Sequence, residues 1–285
     1  IIVITILASL LPIGSVAVYN YAHNLQGVPL GIIGIPFALA VFPVLSAAVA
    51  KKDMDSFIKN ISITIRQILF LIIPVSIVIL LLRAQIVRVV LGSGAFDWAA
   101  TINTADALAL FSLSLFAQSL IPLLARAFFA LQNTKTPFII ALISEIIAIV
   151  AALLLMKPLG VAGLALATSI GAIINFILLG LALRKTTKHL QEDKILESFY
   201  RICLAGIIMA GTIQILKYPL AKIFNQEYFI GIMMQGLIAG LIGLAVYGFI
   251  CYLLKLPEFL HFWGSFQRKW LKLKGIKVEE SIKNV

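Results

Sequence analysis

Long apolar runs separated by short polar hinges make up the chain. Most runs reach the roughly 20 apolar residues that a helix needs to cross a hydrocarbon core of about 30 Å. They are too long and too uniformly apolar for outer-membrane strands, so helices are the structure that satisfies their backbone groups. The pattern predicts a partial helix at 1–12 and seven full spans, at 17–50, 61–82, 104–126, 137–156, 160–183, 199–218 and 228–254.

Composition supports a membrane protein. The 285 residues are 61% hydrophobic and 12% charged, with a mean hydropathy of +1.07. A soluble domain cannot bury that much apolar surface in one core. We therefore predict an all-α integral membrane protein, a polytopic helix bundle. Because Ile1 stands inside an apolar run with no charged flank before it, we expect the chain to be the C-terminal part of a longer protein.

The segment 17–50 combines a polar head with three prolines. Pro29, Pro36 and Pro43 are spaced by seven residues, which is about two helical turns. The prolines therefore lie near one face of a helix that they bend. Kinked spans line a cavity or pack against a neighbour that pairs the freed carbonyl groups.

Three connecting segments are longer than a turn. Residues 83–103 carry a glycine turn, and Asn103 with Asp106 resembles a helix start. Residues 184–198 predict an amphipathic surface helix, and residues 255–285 a basic tail with interleaved aromatic residues that lies at the membrane interface.

Basic residues predict the orientation. The positive-inside rule places the hinges at 51–66 and 126–135, the link and the tail on the cytoplasmic side. The net charge of +11 then fits anionic lipid headgroups and requires no nucleic acid. This arrangement leaves few basic residues on the other side: Arg83, Arg88, Lys157, Lys217 and Lys222.

Polar residues at membrane depth are the candidates for function, because even lenient insertion scales put the cost of a charge there at about 2.5 to 3.5 kcal/mol. Glu145 is the one acidic residue deep inside a predicted full span. It either joins two helices as a protonated or paired carboxyl or serves transport, and both readings stay open. Gln118 and Asn175 lie at mid-span, where we expect hydrogen bonds between helices.

Arg126 stands near the cytoplasmic end of its predicted span. It either snorkels to the interface or points inward, where a guanidinium matches phosphate geometry. The sequence has no metal-spaced cluster and no pair of carboxylates at membrane depth, and its three histidines lie far apart. These features disfavour a membrane-embedded glycosyl or phosphoryl transferase.

Three stretches resemble the MurJ (MviN) lipid II flippases of the multidrug/oligosaccharidyl-lipid/polysaccharide exporter superfamily. From Gly14 the chain reads GSVAVYNYAHNLQGVPLGIIGIPFALAVFPVLS, from Leu91 LGSGAFDWAAT, and from Arg126 RAFFALQNTKTP, the most specific of the three. The resemblance covers nearly the whole chain and is to the second half of the family's fourteen helices. It implies that residues 1–183 form the second of two six-helix lobes, which rock about a central cationic cavity in alternating access.

The resemblance also implies that 199–254 form two terminal helices with a groove for the polyprenyl tail of the substrate. One motif departs from the family. Where the family commonly has Ala-Asp-Arg-Leu, this chain has Ala22-His23-Asn24-Leu25, so Asn24 replaces the cavity arginine of that helix. His23 then supplies part-time charge, since the pKa of a histidine is near neutrality, and a cation must come from elsewhere.

We therefore expect a transporter, not an enzyme, that flips lipid II for peptidoglycan synthesis across the bacterial cytoplasmic membrane. The alternatives are a sister exporter of another polyprenyl-linked oligosaccharide or of a small cation, and a scaffold that transports nothing. The expected partners are lipid II or a related glycan, membrane lipids and an N-terminal lobe. No cofactor is predicted, and dependence on the membrane potential or a coupling ion stays open. The candidate cavity residues are Asn20, His23, Asn24, Gln118, Arg126 and Glu145, and the cytoplasmic hinge is Lys135, Thr136 and Pro137.

Overall fold

The computed structural model describes residues 2–92, 98–224 and 228–260, and these residues form nine α-helices and one π-helical segment. Part of the predicted link 83–103, residues 93–97, and most of the predicted tail, residues 261–285, lie outside the described residues. The helices are α1 (Ile2–Ser9), α2 (Ser15–Pro29), the π segment (Leu30–Gly34), α3 (Ile35–Ala50), α4 (Met54–Leu91), α5 (Trp98–Ser112), α6 (Leu115–Ala130), α7 (Lys135–Thr187), α8 (Glu192–Ile223) and α9 (Phe229–Leu253).

The outer surface of this bundle is apolar. Among the described residues, five helices are long and apolar enough to cross a membrane, or six if the bent pair α5 and α6 is one span. Large side chains such as Leu154, Ile207 and Ile215 are about 70% exposed on these helices, which suits a lipid surrounding and not water. The all-α membrane class is confirmed, while the expected number of spans stays a prediction.

The prolines of 17–50 produce a π segment instead of a simple bend. Pro29 and Pro36 have no N–H to donate, and they flank the five residues of the segment. The Ile35 N–H donates to Leu30 O, five residues back, which is the π-helical hydrogen bond. The chain therefore continues from α2 into α3 without a loop.

The helix α4 corrects two predicted boundaries. It begins at Met54, where Asp53 accepts a hydrogen bond from the Ser56 N–H, and it ends at Leu91. Residues 83–91, predicted as part of a loop, are thus helical, because their apolar residues continue the packing face of the helix. A kink at Leu82 (φ −106°, ψ 17°) marks the change.

The predicted span 104–126 is two helices. The helix α5 begins by Trp98, so Asn103 lies inside it and does not start it. A break at residues 113 and 114 then bends the chain by 48° into α6. The irregular Ser114 (φ −105°, ψ 1°) stands at this break.

The helix α7 folds back on itself. A straight helix of its 53 residues would be about 80 Å long, but Gly160 adopts φ 57°, ψ −133° after Pro158 and ends the first arm. A Cβ added at Gly171 would lie 2.6 Å from the Ala148 Cβ, so the two arms pack side by side. The predicted turn between 156 and 160 is therefore present as this kink.

The terminal helices pack on α4. The helix α8 contacts both α4 and α9, and α9 also contacts α4. The predicted link 184–198 is not a separate helix, since α7 continues to Thr187 and α8 begins at Glu192. A salt bridge joins the end of α7 to the start of α8, with Arg184 Nε 2.9 Å from Glu192 Oε1.

Candidate functional site

A polar cavity of about 330 Å³ lies where the π segment and α6 meet the two arms of α7. Glycine and alanine line much of its wall, and a set of polar side chains reaches into it. Two of the predicted cavity residues, Gln118 and Glu145, are in this set. The full set is Tyr19, Gln118, Ser144, Glu145, Thr168 and Asn175.

Close backbone approach gives the cavity its shape. A Cβ on Gly34, the last residue of the π segment, would lie 2.9 Å from the Ser119 Cα and carbonyl oxygen. Real Cβ atoms do not come that near, so glycine is required for α6 to sit here. The small residues of the second α7 arm, such as Gly171, likewise let the arms approach.

A chain of hydrogen bonds joins neighbouring helices beside the cavity. Gln118 Nε2 donates to Gln26 Oε1 at 3.2 Å and to Ser114 Oγ at 2.7 Å. Ser114 Oγ donates to Ser169 Oγ at 3.0 Å, which in turn donates to Leu110 O at 2.9 Å. The chain joins α2, the α5–α6 break and α7, so the interhelical role predicted for Gln118 is confirmed.

The tyrosine of the polar head faces inward. Tyr19 is almost completely buried, and its hydroxyl lies 3.2 Å from Thr168 Oγ1 on the second arm of α7. The Tyr19 ring stacks on His23 with centroids 6.0 Å apart, and both rings contact Phe111 edge-on. His23 therefore packs between rings, half-buried, beside the cavity and not in its wall.

Two oxygen atoms of cavity-lining residues have no partner among the described residues. The buried Oδ1 of Asn175 and Oγ of Ser144 make no hydrogen bond in this part of the structure. The sequence predicted that Asn175 forms hydrogen bonds between helices, but its side-chain oxygen joins no helix among the described residues. Both atoms lie in the wall that also holds the exposed Glu145. Oxygen acceptors and a carboxylate together suit a hydrated cation better than an anion.

The hinge at Lys135 borders a second, more apolar pocket of about 590 Å³. It shares Ile121, Ala141 and Asn175 with the polar cavity, so the two openings adjoin. Asn133 Oδ1 accepts from the Thr136 N–H at 3.1 Å and holds the start of α7. The sequence had marked this hinge but not the pocket beside it.

The remaining predicted residues lie elsewhere. Asn20 and Asn24 are on the exposed face of α2, outside the enclosed cavity. The Arg126 guanidinium carbon lies 5.9 Å from the centre of the Phe42 ring, a cation–π contact with α3. Arg126 does not line the cavity.

A nearly uniformly apolar groove of about 400 Å³ lies between α4 and α9. Sequence reasoning had assigned a groove to α8 and α9, whereas the residues lining this one come from residues 78–90 and 232–244. Gly236 and Gly240 let α9 approach α4 closely: a Cβ on Gly236 would lie 3.2 Å from the Gln85 Cβ, and one on Gly240 3.4 Å from the Leu82 Cδ1.

Sequence reasoning also missed Ser144 and Thr168 as cavity residues. Small polar residues inside apolar spans are a weak signal, because most of them bond to their own helix. Thr168 Oγ1 does so with Leu164 O at 2.9 Å. Thr168 and Tyr19 are far apart in sequence, and only the packing of α2 against α7 brings their side chains together.

Comparison with known proteins gives a consistent result. The family model described as lipid II flippase MurJ matches residues 1–238. A probable lipid II flippase MurJ of Rickettsia prowazekii is 32% identical over 252 residues, which is 86% of this chain and 48% of the relative. That of Thermotoga maritima is 30% identical over 88% of this chain and 48% of its own length.

A solved structure gives the same match. The lipid II flippase MurJ in an inward closed conformation superposes with a TM-score of 0.66 at 26% identity, over 85% of this chain and 49% of that one. The chain thus spans about half the length of the curated relatives it matches.

Proposed function

Because the chain belongs to the family of the lipid II flippase MurJ, we propose that it takes part in flipping lipid II, a peptidoglycan precursor, across the membrane. The family is one of transporters and not of enzymes, and this chain is a multi-pass protein of the bacterial inner membrane. The observation that carries the proposal furthest is the cavity whose wall holds polar side chains of long apolar helices. Unpaired polar atoms in hydrocarbon are costly, so a cavity lined by them implies a polar occupant.

Transport requires more than this chain's helices. The relatives are about twice as long as the matched region, which supports a second lobe facing this one. The exposed polar face of α2, with Asn20 and Asn24, then lines the space between the lobes. Rocking of the two lobes gives alternating access.

We propose that the cavity serves to couple an ion gradient to transport more than to bind the phosphates of the substrate. Among the described residues that line it there is no Lys or Arg, and Glu145 is the one charged side chain. A diphosphate that leaves water needs fixed cations, so its binding groups come from the opposite lobe. A cation held near Glu145 would link an ion gradient to the rocking motion.

The groove between α4 and α9 is proposed to hold the polyprenyl tail. Its wall is almost entirely aliphatic, which suits a chain of isoprene units. Because a lipid tail needs no polar contact, burial of apolar area alone supplies the affinity.

The proposed orientation places the basic hinges and the C-terminus in the cytoplasm. Lys51, Lys52 and Arg184 are exposed at helix ends assigned to that side, where anionic lipids attract them. A hinge containing Lys135 then faces the leaflet in which lipid II is made.

Complementation tests the function. The host's own lipid II flippase is depleted, the full-length protein that contains this chain is expressed, and labelled lipid II is followed to the outer leaflet. We expect restored flipping. Membrane insertion without flipping of lipid II would overturn the proposal and favour a sister exporter of another polyprenyl-linked glycan.

A further inference from the structure

A buried ion pair lies far from the cavity, where three elements meet. Arg66 Nη1 on α4 is 2.7 Å from Glu258 Oε1, in the turn that follows α9. Ser198 Oγ on α8 donates to the same oxygen at 3.0 Å. The Glu258 side chain is only 3% exposed and the Arg66 side chain 15%. One carboxylate therefore ties together α4, α8 and the end of α9.

The chain after α9 is shaped to deliver this carboxylate. Lys255 adopts a left-handed conformation (φ 50°) that ends the helix, and the Leu256 N–H donates to Cys251 O at 3.1 Å. This is the six-to-one bond of a Schellman-type cap. Leu256 is fully buried, and a short helical turn at 257–260 follows.

Aromatic contacts surround the pair. The Phe259 ring lies 6.3 Å from the Phe70 ring of α4 and 6.4 Å from the Tyr252 ring of α9. The Tyr247 hydroxyl donates to Phe70 O at 2.8 Å, one helical turn from Arg66. The turn at 257–260 is thus seated on α4 by both ionic and apolar contacts.

The ion pair fixes the position of the turn at 257–260 more than it stabilises the protein. Burying two charges costs about as much as their attraction returns, whereas removing one partner leaves an uncompensated charge. Glu258 Oε2 and Arg66 Nε have no hydrogen-bond partner among the described residues, so the pair is not fully satisfied. Such a contact favours one seated position over others and contributes little net stability.

We propose that Arg66, Ser198 and Glu258 form a latch that seats residues 256–260 on α4 and α8 and so fixes the cytoplasmic end of α9 to the lobe. With the latch closed, α4, α8 and α9 move as one body. With the latch open, the turn leaves α4 and its backbone amides meet water.

Hydrogen exchange of the full-length protein in detergent tests the latch. In Glu258→Gln the guanidinium loses its charge partner, so we expect the hydrogen-bonded amides of Leu256 and Leu260 to exchange about tenfold faster or more. Peptides from α7 should keep their rates. The matched control is Asp193→Asn, which removes an exposed carboxylate from the same helix as Ser198 and should change nothing at 256–260.

Two further variants keep the test decisive if Glu258→Gln does not fold. Ser198→Ala retains both charges and should give a smaller local increase in exchange. The double variant Arg66→Glu with Glu258→Arg should restore most of the protection. Unchanged exchange at 256–260, or an equal increase throughout the protein, would overturn the latch. No transport assay enters the test, so its result is independent of the proposed function.

Discussion

Two regions of this protein use polar side chains differently. In the terminal region, formed by α4, α8 and α9, two long side chains donate to backbone carbonyls of a neighbouring helix: Lys217 Nζ donates to Leu81 O at 2.9 Å and the Tyr247 hydroxyl to Phe70 O at 2.8 Å. In the cavity region, formed by α2, the π segment, α6 and α7, two residues of the cavity wall have buried oxygen atoms without a partner among the described residues, Asn175 Oδ1 and Ser144 Oγ. The first arrangement holds helices together, and the second supports the proposal that the cavity takes a polar occupant.

Backbone irregularity follows the same division. The kink of α4 at Leu82 frees carbonyls of the preceding turn, and Lys217 and Arg83 donate to two of them, Leu81 O and Leu80 O. In the cavity region the π segment instead adjoins the cavity, since its Leu30 and Gly34 lie in the cavity wall. Irregular backbone at membrane depth is tolerated where protein buries it or where it lines a cavity. The terminal region uses the first solution and the cavity region uses the second.

The largest effect is expected from Glu145→Gln. If the cavity region is built for a ligand, this change should lower flipping about tenfold or more, equivalent to at least about 1.4 kcal/mol in the transport barrier, while the folded amount stays the same. Flipping of labelled lipid II measures it, with exposed Asp193→Asn as the control variant. Unchanged transport would make Glu145 a structural residue and remove the difference between the regions.

Next in size is Gly34→Ala. The added methyl would meet the Ser119 backbone at 2.9 Å, and overpacking of this kind costs typically about 1–3 kcal/mol. We expect a lower melting temperature in detergent. The matched control is Gly31→Ala in the same π segment, where nothing lies within 4 Å of the new Cβ. Equal melting temperatures for the two variants would show that α6 does not depend on close approach here.

Sequence reasoning found the broad architecture because the bilayer imposes it. Apolar runs, the proline spacing and the Lys157-Pro158 turn each correspond to a structural feature, since span length and missing N–H groups act locally. The helical extent of 83–91 was missed, because Arg83 and Arg88 read as interfacial although they extend a helix past a kink. The bend at Ser114 carried no proline or glycine signal at all.

The candidate site was found only in part. Glu145 and Gln118 stand out in sequence because they are polar inside apolar runs, and both line the cavity. Asn24 and Arg126 do not line it, since which face of a helix looks inward depends on packing that a single sequence does not reveal. The pairing of Arg66 with Glu258, 192 positions apart, is a purely tertiary contact.

Tyr247→Phe tests the terminal region with a smaller change. Loss of the hydroxyl leaves the Phe70 carbonyl without its side-chain donor, which costs about 1–3 kcal/mol for a buried group. The melting temperature should fall while flipping per folded molecule stays unchanged, the reverse of Glu145→Gln. Tyr252→Phe, at an exposed ring of the same helix, is the control. A transport defect at normal stability would show that the terminal region also serves the substrate directly.

The smallest effect is expected outside the membrane, at the start of α4. The Ser56 N–H that donates to Asp53 Oδ1 at 2.9 Å holds the pKa of this carboxyl below its usual range. Its stabilisation is therefore present above the unfolded pKa of about 3.9 and is lost as pH falls through the lower folded pKa. Asp53→Ala should lower the melting temperature slightly at neutral pH and still less at a pH well below that range, with neighbouring Asp55→Ala as control. Because the Asp53 carboxyl stays in water, its removal leaves no buried group unpaired, unlike removal of the Tyr247 hydroxyl. A loss of melting temperature that does not depend on pH would show that the cap acts through shape and not charge.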